Sequence, residues 1–394
     1  MDLLAGILIL LASAKILGIL VEYAGYPSLI GEIIAGIILG PSFAHILEVS
    51  PVILFFSQIG VILLLFITGV EINLKIFRSA RTRMILTGLV AALIPFAIGY
   101  ILGTVFDRSF GESFFLAVIF MLTSIGISVR TLMEKHQLNT DFGMTIVGGA
   151  VICAVCGIIS FGILSSVTGG SLITTDVVLR PLALALLFIL SFLILGNPVF
   201  LFIYEKVRLL HNPSLTYSVT FLIACSSAFV SQQLGLTFVI GAFLSGIMLN
   251  KRVHEDHTLH ESLHNMGFGI FITVFFASVG LMMTFSVSEL LSPFIILVIL
   301  AAVVSKVIGG FVGSYPFLKE KNAAFLVGLG MIPRGDLTLA LAQSAIIAGI
   351  ISQQIYITTV LIVLSTVLLT PVFLTIWIDR LEKRNEKPSV HEAY

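Results

Sequence analysis

The sequence predicts an all-α, polytopic membrane protein with about thirteen transmembrane helices, and three observations support this fold class. Of the 394 residues, 58% are hydrophobic and only 11% are charged. The mean hydropathy of +1.13 is far above that of a soluble globular domain. Apolar stretches of about 20 residues, the length that crosses a bilayer, recur along the whole chain.

Taken in order, the apolar stretches define the predicted spans. They lie at 3–22, 28–46, 52–70, 82–105, 113–133, 143–167, 178–204, 214–231, 235–250, 267–285, 290–314, 323–348 and 354–378. The first stretch follows Asp2 with no preceding basic residue, and Lys15 lies in its middle. We therefore expect a first membrane span rather than a cleaved signal peptide.

The distribution of Lys and Arg predicts the orientation. With the C-terminus in the cytoplasm, fifteen of the 21 Lys and Arg residues fall in inside loops, two in outside loops and four within spans. Short cytoplasmic loops carry the excess of positive charge in membrane proteins. The pattern predicts a multi-pass protein of the cell membrane, with its N-terminus outside and a short cytoplasmic tail at 379–394.

Spans 2 and 9 contain similar sequences. Ile30–Gly40 reads IGEIIAGIILG and Ile240–Asn250 reads IGAFLSGIMLN, with five of eleven positions identical. Chance similarity between two apolar, Gly-rich helices is the alternative. Because an odd offset of seven spans places the two copies in opposite orientations, the match indicates an inverted repeat, the plan of many secondary transporters.

The same offset pairs span 5 with span 12, and both contain small and polar residues. Span 5 carries Thr123, Ser124, Gly126 and Ser128, and span 12 reads GLGMIPRGDLT at Gly328–Thr338. Such backbone at membrane depth is tolerated only inside protein or beside a cavity. Broken helices in corresponding positions point to a midplane binding site. We therefore predict two interrupted crossing helices with an ion site at the breaks.

Short motifs along nearly the whole chain resemble those of one transporter family. They are Pro27–Glu32, Ala35–Ser42, Leu65–Glu71, Thr123–Arg130, Phe275–Leu281, Lys306 with Gly309 and Gly310, and Pro333–Asp336. In this order they resemble the monovalent cation:proton antiporter-2 family of bacterial Na⁺/H⁺ and K⁺/H⁺ exchangers. The resemblance implies a secondary active transporter, not an enzyme, that exchanges Na⁺ or K⁺ for H⁺ by an elevator-type mechanism, without a cofactor and as a homodimer.

The resemblance also implies a division of the single transmembrane domain, 1–394. Spans 4–6 and 11–13, at about 82–167 and 290–378, would form a moving core, and spans 1–3 and 8–10 a scaffold, with span 7 as the linker. The chain contains no long soluble insertion for a regulatory nucleotide-binding domain. Its net charge of zero gives no argument for a nucleic-acid partner.

Span 6 departs from the family pattern. The family carries an Asp-Asp or Asn-Asp pair in a stretch like GAAVVDDVLG, whereas Gly148–Gly157 reads GGAVICAVCG. The acidic pair falls on Cys153 and Ala154. A carboxylate there would bind both the cation and the competing proton. The Cys153 thiol accepts hydrogen bonds weakly and a free thiol titrates at higher pH than aspartate, and Ala154 does neither.

Three charged residues lie in spans 11 and 12 of the predicted core. Lys306 is near the middle of span 11, where a charge is costly and marks a functional candidate. The alternative is that Lys306 snorkels or bonds the carbonyls of broken helices. Arg334 and Asp336 follow Pro333 in span 12. We slightly favour a structural pair that satisfies freed backbone groups, and the alternative makes Asp336 a substitute proton site near Lys306.

The hydroxyls of the interrupted spans have two interpretations of equal weight. Thr123, Ser124, Ser128 and Thr338 supply oxygen ligands of the kind a dehydrated cation prefers, or they form interhelical hydrogen bonds. No metal is expected beyond a transported monovalent cation. Cys153 and Cys156 form a C-x-x-C on one helix face, which we interpret as packing rather than a redox or metal site.

Acidic residues and histidines of the predicted scaffold complete the candidates. We predict Glu32 as a buried carboxylate and Glu71 as an interfacial one. After span 9, His257, His260 and His264 share one face at helical spacing. A cytoplasmic pH sensor is one interpretation, and an amphipathic connecting helix is the favoured one.

Two further function classes remain beside cation/proton exchange. Lost span 6 acids are also expected of a non-coupled, channel-like or sensory descendant of the fold. Lys306 and Arg334, without acids in span 6, leave the core net positive, as in an anion transporter.

Overall fold

The computed structural model describes residues 3–71, 81–167, 197–210, 212–234, 238–286, 290 and 292–385, and within them all regular structure is helical, with no β-strand. The α-helices are α1 (Leu3–Tyr23), α2 (Ser28–Leu39), α3 (Pro51–Glu71), α4 (Arg81–Val105), α5 (Phe110–Met121), α6 (Ile125–Glu134), α7 (Asp141–Val167), α8 (Asn197–Arg208), α9 (Pro213–Gln233), α10 (Phe238–Glu255), α11 (His257–Met266), α12 (Ile272–Leu281), α13 (Pro293–Leu318), α14 (Lys321–Gly330), α15 (Asp336–Ile347) and α16 (Gln353–Asn385). A π-helix, Gly267–Phe271, connects α11 to α12. Most of predicted span 7, at 178–196, and residues 386–394 of the tail lie outside the described residues.

The chain forms two compact units. Unit 1 comprises Met1–Ile72, Ile158–Leu291 and Leu339–Val360, and unit 2 comprises Asn73–Gly157, Ser292–Thr338 and Leu361–Tyr394. Each unit has its own apolar core. One cluster in unit 1 joins α1, α2, α3 and α12, and one cluster in unit 2 joins α4, α5, α7, α14 and α16.

Nine helical segments in the described residues are long and apolar enough to cross a membrane. They are α1, α3, α4, α5 with α6, α7, α9, α11 with α12, α13 and α16. The apolar helices α2 and α15 are shorter, with 12 residues each. Predicted span 2 reaches residue 46, but α2 ends at Leu39 because Gly40, which precedes Pro41, adopts extended backbone.

Helices α2 and α10, which carry the two similar sequences, pack closely through their glycines. A Cβ atom on Gly31 would collide with the backbone of α1, and one on Gly36 with the backbone of α12. On α10, Gly241 and Gly246 approach the backbones of α9 and α3 in the same way. Small residues at these points let the helix backbones touch, which explains why both sequences keep glycine there.

Candidate functional site

The two predicted interruptions are present, and the two breaks lie against each other in unit 2. Residues 122–124 separate α5 from α6, and residues 331–335 separate α14 from α15. The backbone N–H of Ser124 donates to the carbonyl oxygen of Pro333 at 2.6 Å. Each break leaves helix-terminal N–H and C=O groups without partners inside their own helix, so backbone dipoles converge at this point.

Hydroxyl groups bridge the two broken segments. Thr123 Oγ1 donates to the carbonyl of Met331 at 3.2 Å, and Ser128 Oγ donates to that of Gly330 at 2.5 Å. Thr338 is buried at the start of α15. Two of the four predicted hydroxyl residues therefore use their side chains in interhelical hydrogen bonds, as one interpretation expected.

The guanidinium of Arg334 is fully buried and bonded to backbone carbonyls. Its Nη1 donates to Ile332 at 2.7 Å, and its Nη2 donates to Phe120 at 3.0 Å and to Ala302 at 2.9 Å. Two of these carbonyls belong to the end of α5 and to the second break, which supports the structural interpretation of Arg334. Asp336 is partly buried as the first residue of α15, where a carboxylate interacts favourably with the helix dipole.

The ammonium group of Lys306 is also fully buried in unit 2. Its Nζ donates to the carbonyl of Met121 at 2.5 Å, to the carbonyl of Ala91 at 3.0 Å and to the sulfur of Cys153 at 3.5 Å. An ammonium group has three N–H donors, and each of them has an acceptor here. Because Met121 ends α5, Lys306 bonds a carbonyl of a broken helix, as its alternative interpretation expected.

The position at which the resemblance implies an acidic pair lies beside this ammonium group. Cys153 is fully buried, and its thiol lies 3.4 Å from the carbonyl of Gly88. Ala154 is buried next to it, and Cys156 packs at the edge of the same apolar cluster as Cys153. All three cysteines of the chain are free thiols. The thiol of Cys153 thus contacts Lys306 where the resemblance places a carboxylate.

The acidic candidates of unit 1 differ in burial. Glu32 is buried, and its Oε1 lies 3.0 Å from Thr273 Oγ1 and 3.6 Å from Lys15 Nζ. Glu71 is exposed at the end of α3, and its carboxylate lies 3.5 Å from the Nε2 of His264.

Three imidazole rings form a cluster beside Glu71. The ring centroids of His260 and His264 are 4.6 Å apart, and those of His254 and His260 are 5.7 Å apart. His254, at the end of α10, takes the place in this cluster that the helical spacing predicted for His257, because α10 continues to Glu255 and a new helix begins at His257. In the part of the chain that the structure describes, no group of His, Cys, Asp and Glu is arranged to hold a metal ion.

A polar network in unit 1 is absent from the sequence-based candidates. Gln343 Nε2 donates to Ser57 and to Ser278 at 2.8 Å each, and the two serine hydroxyls are 2.9 Å apart. Gln343 and Ser57 line a cavity of about 570 Å³, and the lining residues among those that the structure describes include no charged residue. The available signal was the amide of Gln343 in an otherwise apolar stretch, since polar groups are costly at membrane depth.

Comparison with known proteins relates the chain to sodium/hydrogen exchangers. A family model described as sodium/hydrogen exchanger, transmembrane, matches residues 8–379. The chain is 31% identical over 373 residues to a Na⁺/H⁺ antiporter of Enterococcus hirae, covering 94% of this chain and 96% of that protein. It is 30% identical over 367 residues to the Na⁺/H⁺-K⁺ antiporter GerN of Bacillus cereus, covering 93% of each.

The fold is similar to that of a solved antiporter. The sodium proton antiporter MjNhaP1 of Methanocaldococcus jannaschii matches with a TM-score of 0.73 and 18% sequence identity, over 99% of this chain and 100% of that one. At this identity the similarity shows a shared fold.

Proposed function

Because this chain belongs to the family of transmembrane sodium/hydrogen exchangers, we propose that it exchanges a monovalent cation, Na⁺ or K⁺, for protons across the cell membrane. The relatives named above are antiporters for these ions. The observation that carries the proposal for this chain is the contact of the buried Lys306 with Cys153, with the carbonyl of Met121 at the end of α5 and with the carbonyl of Ala91 on α4.

The contacts of Lys306 support a mechanism of exchange that needs no acidic pair. The carbonyl oxygens of Ala91 and Met121, which accept from the ammonium group, are the kind of oxygen ligand that a Na⁺ or K⁺ ion also prefers. A cation and the ammonium proton then compete for one set of oxygens. Binding of the cation requires that Lys306 gives its proton to water, so that the site holds either the cation or the proton.

The packing of the matched glycines supports the proposed inverted repeat of thirteen spans. Through its glycines, helix α2 contacts α1 and α12, and these two helices correspond to predicted spans 1 and 10. Helix α10 contacts α9 and α3 in the same way, and these correspond to predicted spans 8 and 3. A shift of seven spans converts the first set of neighbours into the second. In the proposed elevator mechanism, a core that includes unit 2 carries the site across the membrane within a homodimer.

A proteoliposome assay tests the proposed exchange. The purified protein is reconstituted with an internal pH dye and an imposed proton gradient, and Na⁺, K⁺ and Li⁺ are titrated as chloride and as gluconate salts. We expect Na⁺ or K⁺ to dissipate the gradient saturably, independent of the anion, and Lys306→Gln to abolish this response. Lys319→Gln, at an exposed position after α13, is the matched control and should exchange like the parent.

Three results would contradict the proposal. Exchange that is unchanged in Lys306→Gln would remove the role of the amine. A folded parent that responds to no cation would leave only a shared fold, as in a non-coupled descendant. A response that follows chloride and not the cation would indicate anion transport.

A further inference from the structure

One carboxylate stands apart from all other acidic groups in the described part of the chain. Glu32, on α2 in unit 1, is 4% exposed, and it is the only acidic side chain among the buried polar and charged residues there. An ionisable group buried at membrane depth is rare and marks a functional site. The proposed exchange at Lys306, in unit 2, makes no use of it.

Two residues connect Glu32 to the π-helix. Thr273 Oγ1 lies 3.0 Å from Glu32 Oε1 and 2.7 Å from the carbonyl oxygen of Phe268. Lys15 Nζ donates to the same carbonyl at 2.6 Å and lies 3.6 Å from Glu32 Oε1. Phe268 is part of the π-helix Gly267–Phe271, an element that is frequent at functional sites.

The hydroxyl of Thr273 has one proton and two acceptors within reach. When Glu32 is ionised, this proton points to the carboxylate, and only Lys15 donates a hydrogen bond to the carbonyl of Phe268. When Glu32 is protonated, the carboxyl donates to Thr273, and the hydroxyl proton turns to Phe268. A buried polar group without a partner costs about 1–3 kcal/mol, and neither state leaves such a group. A site that reversibly binds a proton needs this property.

The charges that face Glu32 are few. Helix α2 packs against α1 and α12, and Glu32 is the only charged residue of α2. From α1 it faces Lys15 and, farther away, Glu22. The π-helix and α12 contain no charged residue. Protonation of Glu32 therefore changes the net charge of a group that consists of Glu32, Lys15 and the more distant Glu22.

We propose that Glu32 is a proton-binding site separate from Lys306, and that the rotation of the Thr273 hydroxyl passes its protonation state to the π-helix. The ligand is the proton itself. The proposal does not depend on which ion the protein exchanges.

Infrared difference spectroscopy of the reconstituted full chain between alkaline and acidic pH tests this site. A protonated carboxyl group has a carbonyl stretching band of its own. We expect one component of this band to be lost in Glu32→Gln and retained in Glu22→Gln, the control on α1. In Thr273→Val the component should shift in frequency, because the hydrogen-bond partner of the carboxyl is removed. A merely structural Glu32 that never binds a proton would show none of these changes.

Two results would overturn the proposal. Spectra of Glu32→Gln that match those of the parent over the whole pH range would overturn the proposal. Should Glu32→Gln fail to fold, Glu32→Asp is measured instead, since it retains a carboxyl group. The proposal then requires that one component of the carbonyl stretching band shifts in frequency. An unchanged band would overturn the proposal. Because the measurement detects the proton directly, it is valid even if the proteoliposome assay shows no cation exchange.

Discussion

At the scale of single residues, two buried cations hold the helix breaks of unit 2 together. Lys306 and Arg334 are both fully buried, and their partners are chiefly main-chain carbonyl oxygens. A carbonyl at the end of a helix has no partner within that helix, and inside a membrane protein water does not replace it. The two cations thus supply hydrogen bonds that the broken helices lack.

Arg334→Gln is expected to destabilise the protein strongly. The shorter, neutral amide cannot reach all three carbonyls, and each hydrogen bond from a charged donor contributes about 1.5–3 kcal/mol. We expect a loss of at least about 3 kcal/mol, measured as a lower midpoint of thermal unfolding in detergent. Lys319→Gln, which removes an exposed ammonium group after α13, should leave the midpoint unchanged. Equal midpoints for both variants would contradict the structural role of Arg334.

Unlike the guanidinium of Arg334, the ammonium group of Lys306 also contacts a side chain. Its third acceptor is the thiol of Cys153 at 3.5 Å. We expect Cys153→Asp to tighten cation binding in the proteoliposome assay, because a carboxylate adds a charged oxygen ligand next to Lys306. Cys156→Ser, one helical turn away, is the control and should leave the apparent affinity unchanged. Weaker cation binding in Cys153→Asp would contradict the shared-ligand arrangement.

At the scale of the helices, close backbone approach sets the packing of unit 1. Gly36 on α2 faces the carbonyl of Ala277, and Gly280 on α12 faces that of Ile33, so the contact is reciprocal. The two glycines let α2 and α12 touch along their backbones, as small residues do between membrane helices. This contact also lies next to Glu32 and Thr273.

Gly36→Ala should separate α2 from α12. The added methyl group has no room against the backbone of α12, and overpacking of this kind costs about 1–3 kcal/mol. The measurement is the unfolding midpoint in detergent. Gly126→Ala is the matched control, since a Cβ atom there meets nothing within 4 Å, and it should be neutral or slightly stabilising. A Gly36→Ala midpoint equal to the control would show that the helices adjust without cost.

The imidazole cluster on α10 and α11 gives a prediction on pH. At acidic pH two protonated rings with centroids 4.6 Å apart repel each other, by about 1–4 kcal/mol at this separation. We expect lower amide protection factors, corrected for the intrinsic exchange rate, in residues 254–268 at acidic than at neutral pH. His260→Phe keeps a ring in the cluster but cannot be protonated, so its protection factors should lose this pH dependence. His136→Gln, outside the cluster, should retain it.

At the scale of the whole molecule, the number of spans decides on which side each terminus lies. Thirteen spans place the termini on opposite faces of the membrane, whereas an even number places them on the same face. We expect a thiol introduced as Asp2→Cys, in a background without the three native cysteines, to react with an impermeant reagent on intact cells. A thiol at Ser389→Cys should react only after the membrane is opened. Labelling of both positions on intact cells would contradict the predicted topology.

Much of the fold was predictable, because the signals that determine it are local. The α5–α6 break follows from Thr123, Ser124 and Gly126, and the α14–α15 break from Pro333 between glycines, since hydroxyl residues, glycine and proline close together in the chain disfavour a continuous helix. The end of α2 was less accessible. The predicted span was extended to residue 46, although Gly40 before Pro41 is a local signal that ends a helix, and the structure shows the end at Leu39.

The candidate site was predictable in its members but not in its contacts. Lys306, Arg334 and Cys153 were identified from the cost of charge in the membrane and from the family motif. Gln343 was missed, because a single amide in an apolar stretch resembles an ordinary polar contact until its partners, Ser57 and Ser278, are known.

The sequence by itself determined a helical membrane protein, the two interruptions, the charged residues inside the spans and the thiol at the position where the resemblance implies an acid. These properties depend on residue type and on spacing along the chain. The tertiary structure decided which groups meet. Glu32 and Thr273 are 241 residues apart, and Lys306 and Cys153 are 153 apart. Such pairs leave no periodic signal, because their contact depends on how helices pack, and that packing alone turns isolated polar residues into sites.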